Sequence, residues 1–540
     1  MSLLPLARSA RIAVIGDFAQ QAPSSPLGTA YSVPDSDYVT ELDGLRMLNN
    51  SDANVKFIDA MSLTPDTADW QEPDCNANCE TGVVAEYFYN ADFSGEPAVT
   101  RVEEGINFNW LYGTNSHDGV VTTLDEINTS ATGFSARFSG QIVPEITGPQ
   151  VFKVRADGAF RVWLDDELIL ESDGEPLSSD LKIALVDSAA TKRLKAGKPY
   201  QVKIEFERGE SFLPAIGGLQ GLQVSWAALN PPTDIDQYDA VVAVVGRNFE
   251  TEGEAVDPRF ELPEQQATML KKVTKANPNT IVVMHGGGGM EMRPWNRKAG
   301  AVFHAFHSGQ FGGQALAELI YGDVNPSGKL PITLDKKLSD NPSYDSYSDR
   351  DDYLGESEDD VMVYSEGLLS GYRGYDADKK APLYPFGFGL SYTDFEFSDI
   401  KVDSRKITED STIHVSFTLT NTGSVAGYNT AQLYVKPKTS AVERPVKELK
   451  GFAKVWLEAG ESKEVTIPLH ARSFAYYKPE LASWIVDATR YKLLIGDSSR
   501  NIGLRTSVVA KDKIVMTTRD SNPIADEVKL AIQVSEEETY

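Results

Sequence analysis

At 540 residues the chain is too long for one hydrophobic core, and about two to four domains are expected. Its hydrophobic content of 41% and charged content of 24% are those of an ordinary globular protein. A formal net charge of −28, from 51 basic and 79 acidic residues, argues against a nucleic-acid partner and against an anionic membrane surface, both of which need clustered Lys and Arg. A neutral ligand such as a sugar is compatible with it.

No apolar run reaches the length of a membrane span. The opening MSLLPLARSARIAVIG has no basic n-region, long apolar h-region or small-residue cleavage site, so it is not read as a signal peptide. Within it, RIAVIG (11–16) is a continuous apolar run ending in glycine, the pattern of a parallel strand buried on both faces. Cys75 and Cys79 stand in DCNANCE, where a short-loop disulfide and two free thiols both fit. Zinc is disfavoured there because no matched His or Cys is near; the nearest His is His117.

From about 83 to 230 the texture changes to alternation, as in VVAEYFYN, GFSARFSGQI, PQVFKVRADGAFRVWLDDELIL and PYQVKIEFERG. These predict half-buried antiparallel strands separated by turns. AVVAVVG (240–246) and NTIVVMHG (279–286) then resume the buried parallel pattern, with helical segments at PEQQATMLKKVTKA (263–276) and GGQALAELIYG (312–322). In the latter Leu316, Leu319 and Ile320 share a face. The stretch from 339 to 362 is acidic and turn-rich, and reads either as a solvated loop or as a loop offering Tyr344, Tyr347 and Tyr353 to a sugar. About seven alternating strands between 395 and 510 predict an immunoglobulin-like sandwich. The last segment, EVKLAIQVSEEETY, either adds a strand or forms a frayed tail.

FETEGEAVDPRF (249–260) packs Glu250, Glu252, Glu254 and Asp257 into eight residues just after AVVAVVG. Crowded like charges cost free energy unless solvent or a ligand separates them. Ligands of open α/β sheets bind beyond the carboxyl ends of strands, where this stretch falls. GGGGM (286–290) lacks the Lys-Ser/Thr of a phosphate loop and the spacing of a dinucleotide fingerprint, so close backbone packing is the preferred meaning. His304 and His307 stand at i and i+3 without an evident third metal ligand, and a structural or pocket-edge role is preferred.

Several of these stretches carry a family resemblance. LLPLARSARIAVIGDFA (3–19), FETEGEAVDPRFELP, GQFGGQALAELIYGDVNPSGKLPITL (309–334), SEGLLSGYRGYD (365–376) and PLYPFGFGLSYTDF (382–395) resemble, in the same order, the second domain of glycoside hydrolase family 3, the β-glucosidase family. The insertion resembles the protective-antigen fourteen-kilodalton domain, with ADGAFRVWLDDELIL (156–170) similar to its central hairpin. The C-terminal part resembles the family's fibronectin type III-like domain. The implied fold class is α/β plus all-β: an α/β sandwich domain over 1–82 and 233–394, interrupted by a β-sandwich over 83–232, then a fibronectin type III-like sandwich over 395–510 and a tail over 511–540.

The resemblance implies a retaining exo-acting β-glucosidase, which needs two carboxyl groups about 5–5.5 Å apart. The family's acid/base is a Glu in a motif like E-G-E-G-F-D-R, and EGEAVDP puts that role on Glu254, with Glu252 second and Glu250 behind. Crowding by Glu252 and Asp257 is a physical reason for a raised pKa at Glu254. Ala255 and Pro258 depart from the pattern, and Arg259 is a shifted replacement for its arginine. The family's nucleophile is an Asp in an S-D-W-type motif on an N-terminal (β/α)8 barrel, and this sequence contains neither the motif nor the barrel pattern. The chain alone is therefore expected to be inactive, with the barrel supplied in cis or in trans.

In the insertion, Trp110 and Tyr112 are candidate sugar-stacking residues, against a core role for Trp110. Asp157, Asp165 and Asp166 resemble an acidic calcium loop but lack its usual Asp-Asp pair, which disfavours calcium. Tyr372, Arg373 and Tyr375 read as structural. An oligosaccharide or glycoside is the implied substrate. No cofactor or metal is expected, homodimers are frequent in the family, and a periplasmic or extracellular setting follows from the resemblance. The competing reading is a non-catalytic carbohydrate-binding or adhesion module built on the two sandwiches.

Overall fold

The computed structural model describes residues 3–20, 37–58, 70–71, 73, 81–109, 114–117, 120–123, 134–144, 147–156, 158–173, 186–208, 221–228, 235–247, 252, 260–346 and 364–517. The three apolar runs form β1 (Ile12–Ile15), β3 (Ala240–Gly246) and β4 (Thr280–His285) of one parallel sheet, completed by two strands that the sequence did not mark, β2 (Val55–Phe57) and β5 (Ala301–Phe306). Its order is β5-β4-β3-β1-β2. The chain leaves β1 toward β2 on one side and adds β3 on the other, so the topological switch point lies between β1 and β3.

Both faces of this sheet are covered, which is why its strands lack alternation. On one face Ile12 and Val14 pack with Leu42 and Leu45 of α1 (Glu41–Leu48) and Leu316 and Ile320 of α3 (Gly312–Tyr321). On the other, Ala13 and Ile15 meet Leu270 and Val273 of α2 (Glu264–Ala276) together with Trp295. Each fully buried large aliphatic contributes roughly 1.5–3 kcal/mol relative to exposure.

Helices α1 and α3 cross backbone to backbone. A Cβ on Gly44 would sit 2.2 Å from the Gly313 carbonyl oxygen, and one on Gly313 would sit 2.0 Å from that of Thr40. Thr40 also caps α1 by accepting the Asp43 amide at 3.1 Å. Gly313→Ala is therefore expected to cost about 2–4 kcal/mol in urea unfolding, because backbone cannot yield as a side chain does. The control Gly148→Ala adds a Cβ with nothing within 4 Å.

Among the described residues the insertion forms two packed antiparallel sheets, of six and four strands, and a two-stranded hairpin of Thr114–His117 with Val120–Thr123. Inward-facing Phe138, Phe152, Phe160, Val162, Ile204 and Phe206 fill the core between them. Trp70 belongs to that core, and the Gln71 amide donates to the Gln141 carbonyl at 3.0 Å. The hairpin Gly158–Leu164 to Glu167–Ser172 turns at Asp165, whose φ is 52°. Asp165 accepts the Gln201 amide at 3.0 Å and faces the Lys198 ammonium at 3.4 Å, so its carboxylate serves the turn. Asp157 lies outside the described residues.

The C-terminal part is the expected sandwich, with one sheet of Phe395–Val402, Thr412–Asn421 and Ser462–His470. The facing sheet holds Glu448–Leu457, Gly427–Pro437, Arg490–Gly496 and Ile502–Val509. A short further strand, Ile514–Thr517, pairs with Ser483–Val486. The α/β body grips this sandwich through PFGFG: a Cβ on Gly387 (φ +81) would lie 2.1 Å from Gln432 Oε1. The Gln432 amide donates to the Gly387 carbonyl at 3.0 Å. The Tyr372 hydroxyl accepts the Leu449 amide at 2.9 Å and its ring stacks on Phe386, while buried Tyr375 donates to Asp335 at 2.6 Å. Both tyrosines thus tie elements together, and Arg373 lies over the Tyr372 ring.

Candidate active site at the carboxyl edge of the sheet

Three strand ends converge on one edge, and glycines let them approach. At the end of β3, Gly246 has φ +151, and Gln266 of α2 clamps it by accepting its amide at 2.8 Å and donating to its carbonyl at 3.1 Å. The next residue, Arg247, is buried, and its amide donates to the His285 carbonyl at 3.1 Å. At the end of β4, buried His285 stacks on Phe18, and its Nε2 stands 2.9 Å from Oε1 of Glu41, the first residue of α1. At the end of β5, His304 Nε2 lies 3.3 Å from the Gly288 carbonyl, and His307 follows.

Glu252 reaches into this edge from the acidic stretch. Its Oε1 accepts the Gly287 amide at 2.7 Å and lies 3.8 Å from His307 Nε2. Glycines leave room beneath it. A Cβ on Gly287 would sit 2.7 Å from Glu252 Oε1, and one on Gly286 (φ +135) would sit 2.9 Å from Oε2. The glycine run of GGGGM thus receives an anion, and that anion is the chain's own carboxylate.

Burial alone would raise the Glu252 pKa. The His307 ring alongside, the Gly287 hydrogen bond and the charge of Arg247 outweigh it and hold the carboxyl below the ordinary glutamate value. Burial lowers the pKa of His304, with the charge of His285 in the same direction and the Gly288 carbonyl and Glu252 opposing. The edge therefore combines an ionised glutamate with a histidine biased toward the neutral form. A general acid must hold its proton at working pH, so this environment suits Glu252 to anchoring rather than to proton donation.

The sign of the pH dependence follows. A folded-state pKa below the unfolded value of about 4.3 contributes stability that is present above that value and is lost as pH falls through the folded pKa. Glu252→Gln is expected to cost about 1.5–3 kcal/mol near neutral pH, the range for a hydrogen bond to a charged group. It should also flatten the decline that begins below about pH 5 and runs down through the folded pKa. Urea unfolding of both proteins across that range measures it, and parallel curves would remove Glu252 as the source.

Of the residues singled out by sequence, the structure brings Glu252, His307 and the glycine run together. His304 turns to Gly288 and lies beside Phe306 with ring centroids 4.0 Å apart. Among the described residues no group of three His, Cys, Asp or Glu is placed to hold a metal. Glu250, Glu254, Asp257, Trp110, Tyr112, Cys75 and Cys79 lie outside the described residues. Sequence reasoning passed over Glu41, Arg247 and Gln266. No local pattern marks them, because their partners are strand ends far along the chain.

Residues 1–392 match the glycosyl hydrolase family 3 C-terminal domain. The chain belongs to glycosyl hydrolase family 3. Residues 429–499 of this family 3 chain match a fibronectin type III-like domain. The thermostable beta-glucosidase B of Acetivibrio thermocellus is 44% identical over 282 residues, covering 52% of this chain and 36% of that protein. A beta-glucosidase of Rhizobium radiobacter is 31% identical over 529 residues, covering 94% of this chain and 60% of that protein. The crystal structure of the Kluyveromyces marxianus beta-glucosidase superposes with a TM-score of 0.63 at 29% identity, over 95% of this chain and 61% of that one. The chain thus spans between 36% and 60% of the length of these two curated relatives.

Proposed function

We propose that this chain is the acid/base-bearing portion of a retaining, exo-acting β-glucosidase that releases terminal β-D-glucosyl residues from oligosaccharides or glycosides. The observation that supports the reading is the tie between Gly287 and Glu252, the first residue of EGEAVDP, at the carboxyl edge of the sheet. Glu254, two residues further on, takes the role of proton donor to the leaving oxygen and then of base to the attacking water. Glu252, held ionised, serves as the anchor. Ala255 and Pro258 depart from the family pattern in residue type without changing which carboxyl follows the anchor in sequence.

The nucleophilic carboxylate comes, on this reading, from the family's N-terminal barrel. Phe311, which precedes α3 at the same edge, is 54% exposed and offers apolar surface for such a domain to cover. Trp110 and Tyr112 of the insertion are proposed to stack on outer sugar units. Periplasmic or extracellular residence is part of the same proposal.

The stereochemistry of the product tests it. Proton NMR of the hydrolysis of a β-glucoside by the chain combined with the barrel should show β-glucose first and α-glucose only on mutarotation. Initial release of the α anomer would mean inversion and would remove the proposed double displacement.

A further inference from the structure

A second polar site lies about the contact between α4 (Tyr372–Ala377) and the C-terminal sandwich. It is a cleft of about 340 Å³, floored by Leu494 and Val446. Five cations and one carboxylate line it, against the trend of a chain whose net charge is −28. The carboxylate is already engaged: Asp376 Oδ1 takes Arg500 Nε at 3.0 Å, and Oδ2 takes the buried Lys447 ammonium.

The other three cations have no such partner. Lys436 and Lys492 are directly opposed in the pairing of Gly427–Pro437 with Arg490–Gly496. Arg505 is opposite Leu494, two residues from Lys492, and so shares its face. None of the three makes an ion pair among the described residues. Like charges directly opposite one another destabilise a sheet, and no ion pair among the described residues offsets that cost here. Ser499 adds an independent sign. It is 2% exposed, lines the cleft, and its hydroxyl oxygen is buried without a hydrogen-bond partner. Burying an unsatisfied hydroxyl is costly, and an acceptor seated in the cleft would satisfy it.

We propose that this cleft binds a tetrahedral oxyanion of the phosphate type, carried on a small molecule. Lys436, Lys492 and Arg505 would supply the charge and Ser499 a hydrogen bond. Phosphate chemistry fits because several donors converge on one centre, and the volume lies at the lower end of small-ligand sites, about 300–1,000 Å³. Such a ligand would bridge α4 of the α/β body and the sandwich, linking occupancy to how firmly the two are held. The proposal is independent of the glucosidase reading.

Isothermal titration of inorganic pyrophosphate and of a hexose 6-phosphate into the full chain, at ionic strength balanced with sodium chloride, tests it. Saturable one-to-one binding is expected. Lys436→Glu with Lys492→Glu should weaken it by about tenfold or more, and Ser499→Ala by about three- to tenfold. Tighter binding of the hexose phosphate would assign the cleft to an organic phosphate, and equal binding to the oxyanion alone. If the double glutamate variant does not fold, Lys492→Ala with Arg505→Ala, both exposed, replaces it. Absence of saturable heat with either probe, or unchanged affinity in the folded variant, would overturn the proposal.

Discussion

A polypeptide of these 540 residues, assayed alone on an aryl β-D-glucoside, is expected to hydrolyse it no faster than buffer. Retention of configuration needs a carboxylate on each side of the anomeric carbon, one to attack and one to donate. Only the donor is proposed here. Without a second carboxylate there is no covalent step, and without the domain proposed to carry it there is no substrate positioning. Positioning alone is worth effective molarities of about 10⁵–10⁸ M. Mixing or co-expressing the chain with a family barrel is expected to restore turnover, with a rate that saturates as the barrel is titrated. Robust turnover by the chain alone, abolished by Glu254→Gln, would place a complete site within it and sink the two-part reading.

In the reconstituted enzyme, Glu254→Gln is expected to lower kcat by about 10²–10⁴ on a glucoside with a poor leaving group, the usual worth of a general acid. On a dinitrophenyl glucoside, whose leaving group needs no proton, the first step should be nearly unaffected and the second should become rate-limiting, with KM falling accordingly. Azide should then restore turnover by attacking the glycosyl-enzyme without base assistance. Glu252→Gln gives the contrast. An anchor's loss disturbs geometry for every substrate, so its effect should not depend on leaving-group acidity, and azide should not rescue it. If the two variants exchange these signatures, the assignment of donor and anchor is reversed.

Three strands of the α/β body were legible because they are unbroken apolar runs that end in glycine, whereas Val55–Phe57 and Ala301–Phe306, which carry Lys56 and His304, were not. Ile12 to Ile15 and Ala240 to Gly246 read as strands covered on both faces, and they are. The two sandwiches were legible from alternation, as in Tyr200–Arg208, where buried and less buried positions take turns. The acidic stretch stood out as a candidate by its position after β3, but the anchoring of Glu252 on the glycine run did not. By charge alone Glu252 and Glu254 are equivalent crowded carboxylates. Glu252 is set apart only because β4 ends in glycines that point an amide at it and β5 brings His307 alongside.

The sequence by itself determined fold class, family and the candidate acidic stretch, because periodicity and motif are properties of neighbouring residues. Tertiary structure alone decided the rest. Glu41 meets His285 across the sheet, Gly44 meets Gly313 across two helices, and Lys436 meets Lys492 by antiparallel register. Each pair joins residues tens to hundreds of positions apart. Their encounter depends on strand order and packing distance, which no local pattern of residue types encodes.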